Sequence, residues 1–145
     1  MPVNGFSVGR DIALDIFDAN TRATIAINTI TDFDRKQRTQ RVEVKALNGV
    51  VSFLELPQGW EGSIGLERSD RVLDDFIAAL EGAYYSGGNV KTASITETIT
   101  EPDGTVSQYR YEGCVFKLDD AGAWKGDSSV KQKLAWVASK RRKVI

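Results

Sequence analysis

VEVKALNGVVSFLEL, residues 42–56, decides the class of fold. Two runs rich in Val, Leu and Phe, Val42–Leu47 and Val50–Leu56, flank Asn48-Gly49. That dipeptide tolerates the positive φ a hairpin turn demands, and apolar runs on both sides of it are a strong hairpin signal. Working outward, most of the chain repeats this period of two. Upstream, Asp11–Asp18 (DIALDIFD) and Ala23–Thr31, with Ile25, Ile27 and Ile30, read as strands. Downstream, Pro57-Gln58-Gly59 reads as a turn into a further strand, Trp60–Leu66. Lys91–Glu101 sets Ala93, Ile95 and Ile99 against Thr92, Ser94, Thr96, Thr98 and Thr100. Pro102-Asp103-Gly104 then turns the chain into Thr105–Leu118, and Ser129–Arg141 alternates again, with Val130, Leu134 and Trp136 inward.

One segment breaks the pattern. SDRVLDDFIAALEGAYYSGG, residues 69–88, spaces Leu73, Phe76, Ile77, Leu80, Ala83 and Tyr84 on one helical face. Ser69 or Asp70 is placed to cap it, Asp74 and Asp75 suit its first turn, and Gly87-Gly88 stops it. The sum is roughly seven or eight strands with a single helix, a mainly β fold of sandwich or barrel type with the helix packed against it. With 145 residues, 41% of them apolar, and no linker or repeat, the chain is read as one domain, residues 1–145.

Composition removes whole classes of chemistry. There is no His, which excludes Ser-His-Asp and Cys-His catalysis and His-based zinc sites. The single cysteine, Cys114, leaves no disulfide and no CxxC pair; beside Val115 and Phe116 it reads as a buried thiol. The glycine-rich run Gly59–Gly65 fits no phosphate-binding spacing and reads as a strand with close backbone approach. Asp32 with Asp34, and Asp119-Asp120 with Asp127, lack the spacing of a calcium loop. Glu43, Glu55, Glu67, Glu97 and Glu112 are not placed across a cleft by anything in the sequence. Trp60, Trp124 and Trp136 read as core or interface anchors. No catalytic residue, cofactor or metal is expected, and the protein is read as a non-enzyme. No secretory leader is read in MPVNGFSVGRDIALD, and no apolar run approaches the ~20 residues of a membrane span.

Charge is uneven along the chain. Residues 125–145 hold seven basic side chains and one acid, while the net charge of the whole is −1. A second basic cluster, Arg35, Lys36, Arg38, Arg41 and Lys45, follows Asp32 and Asp34, most of it within the polar stretch Thr29–Val44. That stretch is too polar to be buried on either face, so it reads as a long hairpin arm leaving the core. Such patches suit a solvated surface, stacking of one copy on another, or nucleic-acid phosphate.

The start MPVNGFSVGRDI, the arm TDFDRKQRTQRVEVKALNG and the ending WKGDSSVKQKLAWVASKRRKV together resemble the tail tube proteins of contractile-tailed bacteriophages. The pattern is also similar, at fold level, to the tube proteins of type VI secretion systems. The resemblance implies a β-sandwich or half-open barrel with one flanking helix. It implies hexameric rings stacked into a hollow tail tube through which phage DNA passes at ejection. The implied partners are further copies of the chain, a sheath protein, a tape measure protein, the baseplate and a tail terminator. DNA would cross the lumen without specific binding, and no membrane anchor is implied. The implied location is the virion tail, assembled in the host bacterial cytoplasm. On this reading Asp32, Asp34, Arg35, Lys36, Arg38, Arg41, Lys140, Arg141 and Arg142 lie at subunit interfaces. Thr92, Ser94, Thr96, Thr98 and Thr100 line the lumen, which is expected to be neutral to acidic because basic groups would hold phosphate. Reversing charge at Arg35 and Arg38 is expected to impair polymerisation and leave the monomer folded. The alternative is a nucleic-acid-binding β-barrel module that uses the basic C-terminal strand and stacks bases on Trp136, Tyr109 or Tyr111. A sequence pI near 5.5 argues against it. A carboxylate-based hydrolase is the remaining class, with no constellation to support it.

Overall fold

The computed structural model describes residues 3–6, 12–18, 22–25, 30–69 and 71–145. Among these, eight strands and one helix follow in the order β1 (Ile12–Asp18), β2 (Ala23–Ile25), β3 (Ile30–Lys45), β4 (Val51–Glu67), α1 (Val72–Tyr85), β5 (Ala93–Thr100), β6 (Val106–Asp120), β7 (Lys131–Ala138) and β8 (Lys140–Lys143). All pairings are antiparallel, in the order β2-β1-β5-β6-β7-β4-β3, with β8 added beside β6. The fold is thus mainly β, an unclosed sheet folded over on itself with one helix.

The folding-over has a local cause. β6 pairs β8 over Tyr109–Glu112 and β5 over Val106–Tyr111, with one further β5 pair at Cys114, but pairs β7 from Val115 onward. Between those stretches lies Gly113, at φ +67, where a side chain would meet Ser139. Ser139 is itself the break between β7 and β8, and its N–H donates to the Glu112 carbonyl at 2.9 Å. Two neighbouring strands therefore bend at one place, which makes a sandwich corner. The C-terminal segment expected as one strand is accordingly two.

Inside the fold, Ile16, Ile95 and Tyr111 from one half meet Ile64, Leu134 and Trp136 from the other. Helix α1 closes the layer with buried Leu73 and Phe76, the latter edge-on to Phe116 with ring centroids 5.6 Å apart. Its N-terminus differs from expectation: Arg71 holds the cap position with no side-chain hydrogen bond, and Asp70 lies outside the described residues. Asp74 instead ties the helix down, accepting from Arg68 Nε at 2.8 Å and from Gln132 Nε2 at 2.9 Å. These bonds hold the Asp74 carboxyl below its ordinary value. At the other end Gly87 (φ +76) follows the last turn, and the N–H of Gly88 returns to the Ala83 carbonyl. Tyr84, expected on the buried stripe, is 70% exposed.

One further expectation needs correction. Pro57-Gln58-Gly59 is not a turn, because β4 runs straight through it. Pro57 lies where β4 has β3 on one side only, since β7 joins from Trp60, so its missing N–H breaks no ladder there. The run Ala23–Thr31 is described only in part. Its described parts divide between β2 and the start of β3, and Ile27 lies outside the described residues. Both hairpin signals are present as turns of one kind. Leu47-Asn48-Gly49 and Pro102-Asp103-Gly104 are three-residue loops with the glycine at positive φ, +85 and +89.

Candidate functional site

The sequence fixes a long arm by leaving β3 and β4 paired well past the sheet. Their register runs from Ile30↔Leu66 to Lys45↔Val51, whereas β7 covers only Trp60–Glu67 of β4. Residues 39–57 therefore form a two-stranded projection, with a bulge between Gln37 and Thr39 opposite Gly59 (φ +97). One face of the projection is Val42, Val44, Leu54 and Leu56. The other carries Phe53 and Val51 beside the ion pairs Arg41–Glu55 and Lys45–Glu43. Phe53 is 62% exposed, and Leu47 at the tip is fully exposed. An isolated two-stranded hairpin is marginal in water, and this one leaves an apolar face uncovered by its own chain.

At its root the arm grips the interior. Arg35 on β3 places Nη1 3.1 Å from Glu97 Oε2, and Arg141 on β8 places Nη2 3.8 Å from Oε1. Glu97 is completely buried on β5, sharing its face with Ile95. Arg141 also stacks over Tyr109 at 3.7 Å and over Trp60 at 4.7 Å. Burial pushes the Glu97 carboxyl above its ordinary value, and the two guanidiniums only partly oppose that rise. Neither carboxylate oxygen has a hydrogen bond of good geometry among the described residues, nor does the Tyr111 hydroxyl or the Trp136 indole N–H. Underpaired polar atoms of this kind explain why desolvation outweighs attraction. Period two does set Glu97 beside Ile95 and Ile99, so the sequence carried a signal for its burial.

The other expected interface residues spread over three regions. Asp32 and Asp34 are exposed on the outer face of β3, opposite Gly65 and Ser63, with Lys36 facing Glu61. Arg38 reaches Glu61 at 3.8 Å, and Arg41 holds Glu55. On β8, Lys140 and Arg142 both lie against Glu112, at 3.5 and 3.1 Å. Lys140, Arg141 and Arg142 are thus matched by carboxylates from neighbouring strands, while Lys131, Lys133 and Lys143 are exposed.

Ser94, Thr96, Thr98 and Thr100 share the outward face of β5; Thr92 is exposed just before the strand begins. The cross-strand neighbours of Thr96 are Asp15 and Arg110, which the sequence did not single out. Arg142 continues that row on the edge strand β8. Cys114 donates to the Tyr111 carbonyl at 3.2 Å, and burial pushes its thiol up to about 12. Cys114 is therefore expected to stay inert to a thiol reagent such as DTNB in the folded protein and to react stoichiometrically once denatured. Labelling of native protein at pH 8 within minutes would contradict its burial. Among the described residues no group of three acids and thiols is placed to hold a metal, and no helix is long and apolar enough to cross a membrane.

Comparison with solved structures decides the type of fold. A chain of the PVC sheath/tube terminator, an extracellular contractile injection system in its extended state, superposes with a TM-score of 0.69 at 12% identity, covering 100% of this chain and 98% of that one. A chain of the PVC sheath-tube complex gives 0.69 at 12%, covering 98% and 95%. The fold is tail-tube-like. A chain from the tail of an empty gene transfer agent particle gives 0.58 at 13%, covering 95% and 98%. No protein-family model and no curated protein sequence matches the chain. Within the tail-tube-like fold, the buried positions of Trp136 (1% exposed) and Tyr111 (0%) remove both as base-stacking groups, and Arg141 covers Tyr109. The nucleic-acid module has no support from the geometry or the comparisons.

Proposed function

We propose that this protein is a structural subunit whose copies form hexameric rings, stacked into the hollow tube of a phage tail or related contractile particle, through which DNA passes at ejection. The observation that carries this reading is the fold match to sheath-tube and terminator assemblies over the full length of both chains. The six-fold symmetry of the gene transfer agent tail supports the ring number. A sheath protein, a tape measure protein, the baseplate and a terminator are the partners such a tube requires. The proposed location is the virion tail, assembled in the host bacterial cytoplasm, and the role needs no catalysis.

The projecting hairpin is the proposed contact with a neighbouring subunit, and the face of Ser94, Thr96, Thr98 and Thr100, with Thr92, is the proposed lumen wall. Lys140 and Arg142 share that face but sit on its edge strand, where a ring contact along β8 would cover them. Electron microscopy of the purified protein across concentration and salt tests the reading. Hollow rings or tubes of uniform width are the expected result, and a monomer under every condition counts against it.

Charge reversal probes the arm. Arg35 serves the interior through Glu97, so reversing it would strain the fold as well as any interface. Arg38 and Arg41 are 49% and 72% exposed and make the cleaner pair. Arg38→Glu with Arg41→Glu is expected to raise the concentration needed for assembly about tenfold or more, with an unchanged thermal midpoint of the monomer. Normal tubes from this variant would remove these charges from the interface.

A further inference from the structure

The molecule exposes a convex apolar feature and a concave one, in different places. The convex feature is the arm. On one face and at the tip, its uncovered Val44, Leu47, Val50, Leu54 and Leu56 expose on the order of 500 Å², within the range of a monomer's largest patch and more than half of the ~800 Å² each partner contributes to a stable interface. The concave feature is a partly enclosed cavity of about 200 Å³ where α1 meets the bend of the sheet, lined mostly by apolar side chains, among them Phe76, Leu80, Val90 and Phe116, with Asp18, Lys91 and Thr92 also on its wall. An apolar cavity of about 150 Å³ suffices to hold a benzene ring. Val90 on its wall is 42% exposed.

From these two features we infer that the cavity beside α1 receives the arm tip of a second copy, with Leu47 as the inserted side chain. The inference rests on the self-assembly reading above and names where the arm goes. The ladder to Lys45↔Val51 holds the arm extended, with its tip on the order of 30 Å beyond Trp60, so it cannot fold back into its own cavity. Every apolar side chain on its outer half remains uncovered by its own chain. One knob and one hole at different positions make a heterologous contact, which either closes into a ring or continues as a stack. A rigid three-residue loop presents Leu47, so insertion orders few additional bonds.

The test uses the full chain throughout. Leu47→Asp changes a side chain that touches nothing in the monomer, and it is expected to raise the threshold concentration for tubes about tenfold or more. In parallel, Leu47→Cys and Val90→Cys proteins are mixed under assembling conditions and oxidised. A disulfide-linked heterodimer is expected only in the polymer, with native Cys114 buried and inert. Three outcomes are distinguishable. Crosslinking together with the Leu47→Asp defect supports the contact. Normal tubes from Leu47→Asp, with Val90→Cys in those tubes still open to a maleimide, overturn the contact, free the cavity for a different partner and leave the tube reading standing. Wild-type protein that never assembles removes the tube reading and this contact with it.

Discussion

Arg141→Met is expected to lower the unfolding free energy by about 2–3 kcal/mol, because it strips a buried carboxylate of one of its two cations and leaves it only Arg35, 3.1 Å away. Glu97 has no exposed surface, and Arg35, its other partner, is itself 35% exposed and therefore screened. The double variant Arg141→Met with Glu97→Met should recover most of the loss, since an apolar replacement of a whole buried ion pair is often neutral. Urea denaturation of the four proteins measures this coupling directly. Equal losses in the single and double variants would mean that Arg141 acts through its stacking on Trp60 and Tyr109 instead.

The pH dependence carries a sign that checks the same site. Burial raises the folded Glu97 carboxyl above its ordinary 4.5. Its contribution to stability is therefore complete below that value and lost as pH climbs through the raised one. Relative to Glu97→Gln, the wild-type protein should lose stability as pH rises from about 4.5. Arg141→Met should deepen that loss and extend it to higher pH, with the same onset. Asp74 has the opposite sign: its lowered carboxyl gives stability above 3.8 that fades as pH falls.

Gly62→Ala is the second substitution with a large expected effect. Gly62 lies opposite Arg35 on β3 and Trp136 on β7, and an added Cβ would run into the Asp34 carbonyl and the Trp136 ring. The obstacle is backbone on one side and the core indole on the other, so neither can swing away. The expected cost is about 3 kcal/mol, at the upper end for overpacking. Gly126→Ala, where nothing lies within 4 Å, should stay within about 0.5 kcal/mol and serves as the control. A Gly62→Ala protein as stable as wild type would show that β3 and β4 slide apart at this point without loss.

Elements bounded by their own chemistry were legible in the sequence. Alternation placed most strands, the 3.6-residue period placed α1, and Asn48-Gly49 and Pro102-Asp103-Gly104 placed two turns. Features that depend on a neighbour were not. Pro57 reads as a turn until one sees that no strand needs its N–H. Ser139 reads as mid-strand until Gly113 bends the strand beside it. The apolar alternation of Val42–Leu56 predicts pairing correctly but does not say that the apolar face has nothing on it. Counting charge along the chain likewise misses that Glu112 faces both Lys140 and Arg142, and that Glu97 draws Arg141 inward. The candidate site was legible as an arm, and its anchorage to a buried carboxylate was not.

The β3–β4 ladder also sets an order of events during synthesis. Its partners are close in sequence, so the hairpin can close within microseconds of emerging. β1, by contrast, pairs with β5 and must wait for most of the chain. The most adhesive surface of the molecule is thus ready first, while its expected receptacle, built from α1, β5 and β6, is completed late. A nascent chain therefore presents a finished arm before it can accept one, and chains emerging side by side become partners only once β6 is in place.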